Sequence, residues 1–197
     1  MEKKRILAVG VGGQGILLFS RILGEVALRA GVPVAMSEVH GMAQRGGVVE
    51  TNIVLGAIRS PLISQGEADV LVGFEPVETL RALGRTNQKT VIVSSTDPVI
   101  PQIVKDGLAT YPDLAEPLAR LKETFDRVYL FAGEKLAKEA GTARALNVVA
   151  LGALAGTGLL PFAKEDFLNA IKTLVKPRFV EANLKAFEAG FAVTAGV

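Results

Sequence analysis

The chain has 197 residues, 49% of them apolar and 21% charged, so it can bury a sizeable core and global disorder is excluded. Its 22 Lys and Arg against 20 Asp and Glu are scattered, which gives no support for a nucleic-acid or membrane-surface role. With no cysteine and a single histidine, His40, the chain has no means of forming a disulfide framework, a Cys-ligated zinc or iron–sulfur site, a Cys nucleophile or a multi-histidine metal site.

Arg5–Val9 is a short β-rich run leading into Gly10-Val-Gly-Gly-Gln-Gly15, too brief for the apolar region of a secretory signal. Ile16, Phe19, Ile22, Leu23, Val26 and Ala27 then recur at helical spacing over Ile16–Leu28, and Gly31 closes that helix. Val32–Met36 reads as a second strand. The stretch from Glu38 to Gly47 reads as an aperiodic loop, and Val48–Leu55 as a third strand in which Glu50 and Asn52 alternate with Val49, Thr51 and Ile53.

Val70–Phe74 is an unbroken apolar run, the pattern of a strand buried on both faces of a parallel sheet. Glu75-Pro76 opens a helix through Arg85, with proline where its missing N–H costs little. Thr90–Ser94 is a further buried strand. Asp97–Tyr111, broken by Pro98, Pro101 and Gly107, is irregular with a short strand inside it. Asp113–Thr124 is helical, Val128–Phe131 is a strand, and Lys135, Lys138 and Glu139 mark a solvated helix face.

Helices over about Thr142–Ala155, Lys164–Val175 and Arg178–Val193 finish the chain, the last with Val180, Leu184, Phe187 and Phe191 on one stripe. The uncharged stretch Ala145–Ala163 nearly has the length of a membrane span. Asn147, Gly152, Gly156, Gly158 and Pro161 interrupt it, so it reads as a buried helix and a tight loop. Alternating strands and helices predict an α/β, three-layer Rossmann-like domain with a mostly parallel sheet and a helical C-terminal part, a single domain over residues 1–197. The expected compartment is the cytoplasm.

Gly10, Gly12 and Gly15 fit G-x-G-x-x-G between a strand and a helix, where glycines allow close backbone approach and the helix N-terminus offers N–H groups to an anion. Gly13 and Gln14 complete the loop, and Glu38 lies roughly where a ribose-binding acid would sit. A bare packing turn with no ligand has the same signature. The chain offers no second domain for a substrate, which counts against a hydride-transferring enzyme.

Ser37-Glu-Val-His-Gly-Met-Ala-Gln-Arg-Gly-Gly47 is the most polar connection in the chain. Glu38, His40, Gly41, Gln44, Arg45, Gly46 and Gly47 are candidates for a binding surface, Arg45 beside exposed amides being suited to a carboxylate or phosphate. His40 ordinarily changes charge near neutrality, but nothing in the sequence supplies it with a nucleophile or a paired acid, which argues against a catalytic base. Asn147, alone on an apolar helix, needs partners and is expected to bond a loop backbone or line an interface.

These motifs, with Ser60-Pro-Leu-Ile63, Glu67-Ala-Asp-Val70, Phe74-Glu-Pro76 and Ala145-Leu-Asn-Val-Val-Ala-Leu-Gly-Ala153, closely resemble the small (beta) subunit of indolepyruvate ferredoxin oxidoreductases. That subunit is the gamma-type domain of the 2-oxoacid:acceptor oxidoreductases. The resemblance implies a complex, usually two large and two small subunits, that oxidatively decarboxylates arylpyruvates, with coenzyme A accepting the acyl group and ferredoxin the electrons. It also implies that thiamine diphosphate, magnesium and the iron–sulfur clusters sit in the large (alpha) subunit. The chain itself would then carry no cofactor or metal, and would contact neither nucleic acid nor membrane. Both glycine-bearing loops would face the partner's active site or the path of coenzyme A. The competing readings are a stand-alone NAD(P)- or nucleotide-binding protein using Gly10–Gly15 and Glu38, and a ligand-free structural or regulatory module.

Overall fold

The structure, a computed structural model, describes residues 2–41, 46–57 and 60–196. Six strands form one sheet in the order β2-β3-β1-β4-β5-β6. They are β1 (Lys4–Val11), β2 (Val34–His40), β3 (Val48–Leu55), β4 (Val70–Gly73), β5 (Val91–Ser95) and β6 (Val128–Phe131). β1, β4, β5 and β6 pair in parallel, whereas β3 runs antiparallel to both β1 and β2, with Lys4 opposite Leu55 and Val11 opposite Val48.

The pleat sends alternate residues to opposite faces. Ile6, Ala8, Ile53, Val72 and Val93 join the larger core, under α1 (Ile16–Arg29) and three late helices, α6 (Leu146–Gly156), α7 (Lys164–Leu174) and α8 (Val180–Thr194). Leu7, Val9, Val54, Leu71 and Ile92 face the smaller core, beneath Ala82 after α2 (Pro76–Arg81) and Leu121 of α4 (Ala115–Thr124). That makes three layers, with the C-terminal helices on one face. On α8 the stripe of Val180, Leu184, Phe187 and Phe191 packs into the larger core, where Phe187 stacks on Phe167 at 5.6 Å.

Three expectations need correction. The second strand starts at Val34 and runs on to His40, so Glu38 and His40 are strand residues and the connection shortens to 41–47. Backbone pairing is what extends it: Glu38, Val39 and His40 sit opposite Thr51, Glu50 and Val49, and an edge strand keeps this ladder whatever its side chains. Within 97–111 there is one helical turn, α3 (Gln102–Lys105), instead of a short strand. The helix expected through Arg85 tightens to a 3-10 turn at Ala82. The face read from Lys135, Lys138 and Glu139 belongs to α5 (Gly133–Glu139). Residues 147–154 of α6 are all buried, so Gly152 lies inside a core helix, and among the described residues no helix is long and apolar enough to cross a membrane.

Candidate functional site

Parallel strands all end on the same edge, and the glycine turn lies there, between Val11 and the first residue of α1. Its conformation is held from within. Gln14 Oε1 accepts from Val11 N–H at 2.8 Å, while Gln14 Nε2 donates to the Phe74 carbonyl at 2.8 Å, tying the turn to the end of β4. Gly12 N–H donates to the Gly47 carbonyl at 2.8 Å and Gly46 N–H to the Gly12 carbonyl at 3.3 Å, so the β2–β3 connection closes onto the turn. Gly15 is the residue before α1, with φ of 80°, and its carbonyl accepts from Leu18 and Phe19 N–H at 3.0 and 3.1 Å. The first N–H groups of α1 have no partner within the helix, as at any helix start.

Gly13 and Gly15 both need left-handed backbone, but only Gly15 is crowded. A Cβ there would lie 2.8 Å from Asn147 Nδ2, whereas at Gly13 (φ of 102°) nothing comes within 4 Å. At Gly13, therefore, backbone strain alone opposes a side chain, whereas at Gly15 strain and crowding both do. Gly15→Val combines strain with a clash against the buried Asn147, and should leave the chain aggregated or its melting temperature lowered by roughly 6–12 °C, as about 3 kcal/mol would for a chain of this size. Thermal melts of the two variants check this: Gly13→Ala should lose less than Gly15→Ala.

Beside the turn lies a cavity of about 470 Å³, walled by Gly12, Gly13, Ile16, Leu17, His40 and Gly41. Glu38 and His40 share a face of β2, and their side chains meet at 3.5 Å. Glu38 Oε1 also accepts from Ser20 Oγ of α1 at 3.4 Å. Gln44 and Arg45 lie outside the described residues. Asn147, 3% exposed, donates from Nδ2 to the Gly15 carbonyl at 3.2 Å, the loop-backbone bond expected of it.

The other side of the turn is walled by Glu75, which caps α2 by accepting from Glu78 N–H at 3.0 Å. Glu75 is 2% exposed, and its other oxygen accepts from the Tyr111 hydroxyl at 2.5 Å and Val99 N–H at 3.4 Å. Together they pin the 98–112 segment over a cleft of about 340 Å³ that Gly46, Gly47, Arg81 and Ile103 also line. Burial first, then the Glu75 carboxylate, push the Tyr111 hydroxyl above the usual phenol range, so it stays a donor. Burial likewise raises Glu78, against the opposing pull of the Arg81 guanidinium 2.7 Å away. Tyr111 and Ser20 were not foreseen; Tyr111 lies 36 residues from Glu75, and no local pattern joins the two.

This geometry speaks against a dinucleotide. The amide of Gly12, which would approach a pyrophosphate, is already bonded to Gly47. β3 separates β1 from β2, so Glu38 lies one strand spacing, about 5 Å, further across the sheet than a ribose-binding acid on an adjacent strand. Nor do the residues fit a metal or cluster: the sequence has no cysteine, and among the described residues no group of three or more His, Asp and Glu could hold an ion.

What remains is a Rossmann-like α/β protein whose glycine turn is closed by a hairpin and whose strand-end edge is open. The chain belongs to the pyruvate ferredoxin/flavodoxin oxidoreductase family, whose profile matches residues 5–193. It is 42% identical over 186 residues to the indolepyruvate oxidoreductase subunit IorB of Archaeoglobus fulgidus, covering 94% of this chain and 92% of that protein. The fold matches the gamma subunit of a keto/oxoacid ferredoxin oxidoreductase from Geobacter sulfurreducens, with a TM-score of 0.70, 25% identity, and 97% and 98% of the two chains covered. It also matches, with a TM-score of 0.74 and 22% identity, 31% of a chain of the 2-oxoglutarate:ferredoxin oxidoreductase of Magnetococcus marinus, covering 98% of this one.

Proposed function

We propose that this chain is the accessory subunit of an indolepyruvate:ferredoxin oxidoreductase, which converts an arylpyruvate and coenzyme A into the acyl thioester and carbon dioxide while two electrons pass to ferredoxin. The observation that carries the reading is near-full-length similarity to an indolepyruvate oxidoreductase subunit, 42% identical over 94% of this chain, in a sequence with no cysteine. Decarboxylation needs an electron sink and electron transfer needs a redox centre, both ordinarily supplied by cofactors. A large subunit would hold thiamine diphosphate, magnesium and the iron–sulfur clusters. Two large and two small subunits, a cytoplasmic setting and one domain spanning 1–197 complete the proposal.

In that complex the Gly10–Gly15 turn and the 38–47 hairpin end would face the partner's active site or the route of coenzyme A. Leu17, Val39 and Val48, which are 39%, 57% and 43% exposed, surround these loops and suit a surface that another subunit covers. Asn147 would then hold the turn in register with α6 rather than touch the partner itself. Affinity purification of the tagged chain from its source cells should bring down a brown, thiamine-containing large subunit. Recovery of the chain alone with tightly bound NAD would overturn the proposal.

A further inference from the structure

The sheet ends in two unlike edges. β6 is 4 residues long, and so short an edge offers little to pair with. β2 is 7 residues long, without lysine, proline or bulge, and pairs in unbroken register from Val34 opposite Leu55 to His40 opposite Val49. Gly41 N–H donates to the Val48 carbonyl and Gly56 N–H to the Pro33 carbonyl, both at 2.9 Å, so the odd-numbered residues of β2 are the ones that bond β3. The N–H and C=O groups of Val34, Met36, Glu38 and His40 therefore point off the sheet, a ready ladder for another strand.

α1 lies over β2 and β3, and two contacts set its level against the edge. Ser20 Oγ reaches Glu38 at 3.4 Å, and the Met36 methyl sits over Gly24, where an added Cβ would lie 2.9 Å from it. Ile22 is thus level with Ser37. Leu17, Arg21 and Leu28 are exposed and share one stripe of the helix with Gly24, beside the residues that meet β2. Among the described residues Arg21 forms no ion pair, and Glu25 next to it is paired only with Arg29. Under a two-fold axis at the level of Ile22 and Ser37 the stripe meets itself in reverse: Leu17 comes near Leu28 of a second copy, and Arg21 near its Glu25.

We propose that β2 pairs antiparallel with β2 of a second copy of this chain about a two-fold axis at Ser37, joining the two sheets edge to edge. Val34 then lies opposite His40 of the second copy and Met36 opposite its Glu38, each pair exchanging two hydrogen bonds. A register centred on Glu38 would instead set two carboxylates face to face. The two α1 helices, each above the gap between β2 and β3, lie two strand spacings apart, about 10 Å, the distance at which helices pack. The occupant is a second copy because one axis suits both layers: the strand ladder and the charged helix stripe are each complementary to themselves. Antiparallel pairing also turns the two glycine turns toward opposite ends of the joint sheet, so both stay open to another subunit. The inference does not rest on the enzyme proposed above.

Since the sequence has no cysteine, a single introduced thiol reports the axis directly. Ser37→Cys sets two thiols in a non-hydrogen-bonded pair with Cα atoms about 4.5 Å apart, within disulfide reach, and should oxidise to a covalent dimer. Ala35→Cys is the control: its two thiols would sit about 13 Å apart along the ladder and should stay reduced. Sedimentation velocity of the full chain should show a monomer–dimer equilibrium. Arg21→Glu should weaken it about tenfold, and adding Glu25→Arg should restore it, with the melting temperature unchanged throughout. A chain that sediments as a monomer at every concentration, leaving β2 to some other protein's strand, would overturn the proposal. So would equal cross-linking at 35 and 37, or a charge reversal that has no effect or is not rescued.

Discussion

Supplied with an arylpyruvate, coenzyme A and a viologen dye, the purified chain is expected to give no reduction above the dye-only background, and to support turnover only once the large subunit is added. A thiazolium or comparable sink must take up the carbanion that decarboxylation leaves, and ferredoxin-type electrons leave one at a time from a redox centre. No cysteine is present to ligate such a centre, and among the described residues no cluster of His, Asp and Glu can hold magnesium. The side chains at the strand-end edge that could move protons, Glu38, His40 and Glu75, are engaged with Ser20, with each other and with Tyr111. Metal analysis run beside the assay makes the test sharp: stoichiometric iron or dye reduction by the lone chain would contradict the accessory role.

Gly190→Ala should be the most damaging single-methyl change in the helical layer. α6 and α8 cross so closely that a Cβ at Gly190 would overlap the Val149 carbonyl oxygen, and one at Gly152 the Phe187 carbonyl oxygen. These are backbone atoms of two core helices, so neither can yield without moving a whole helix, and overpacking of that kind costs about 3 kcal/mol. For a chain of this size the melting temperature should fall by roughly 6–12 °C. Gly84→Ala is the control: its Cβ would meet nothing within 4 Å, and its stability should change by less than about 0.5 kcal/mol. Equal melting temperatures for the two variants would show that the crossing is looser than described.

The sequence made Gly152 visible, but only as an interruption of an apolar run, and Gly190 did not stand out at all. At one residue per position, a glycine that breaks a helix looks the same as one that lets a second helix touch its backbone. Local signals served well where they were periodic: the face of α1, the alternation along β3 and the stripe on α8 stand as read. Asn147 was legible too, since a lone amide on an apolar helix must find a partner, and it found Gly15. What local pattern could not carry was order in space. Nothing in Val48–Leu55 says that it inserts antiparallel between β1 and β2, and that insertion is what moves Glu38 away from the glycine turn. Nor did composition reveal that Glu75, read as a helix start, also anchors Tyr111 from a segment 36 residues away.

The placement of β1 has a consequence for synthesis on the ribosome. β1 is made before any other strand, yet its ladder on one side closes only when Leu55 reaches Lys4, and on the other only when Gly73 reaches Val9. Until then its apolar core residues, Ile6, Leu7, Ala8 and Val9, have no sheet to enter. β2 and β3, joined by the short 41–47 connection, form the local unit available first. The nascent chain therefore carries an exposed, aggregation-prone strand through the translation of its first third, and early chaperone contact at residues 4–11 would shield it.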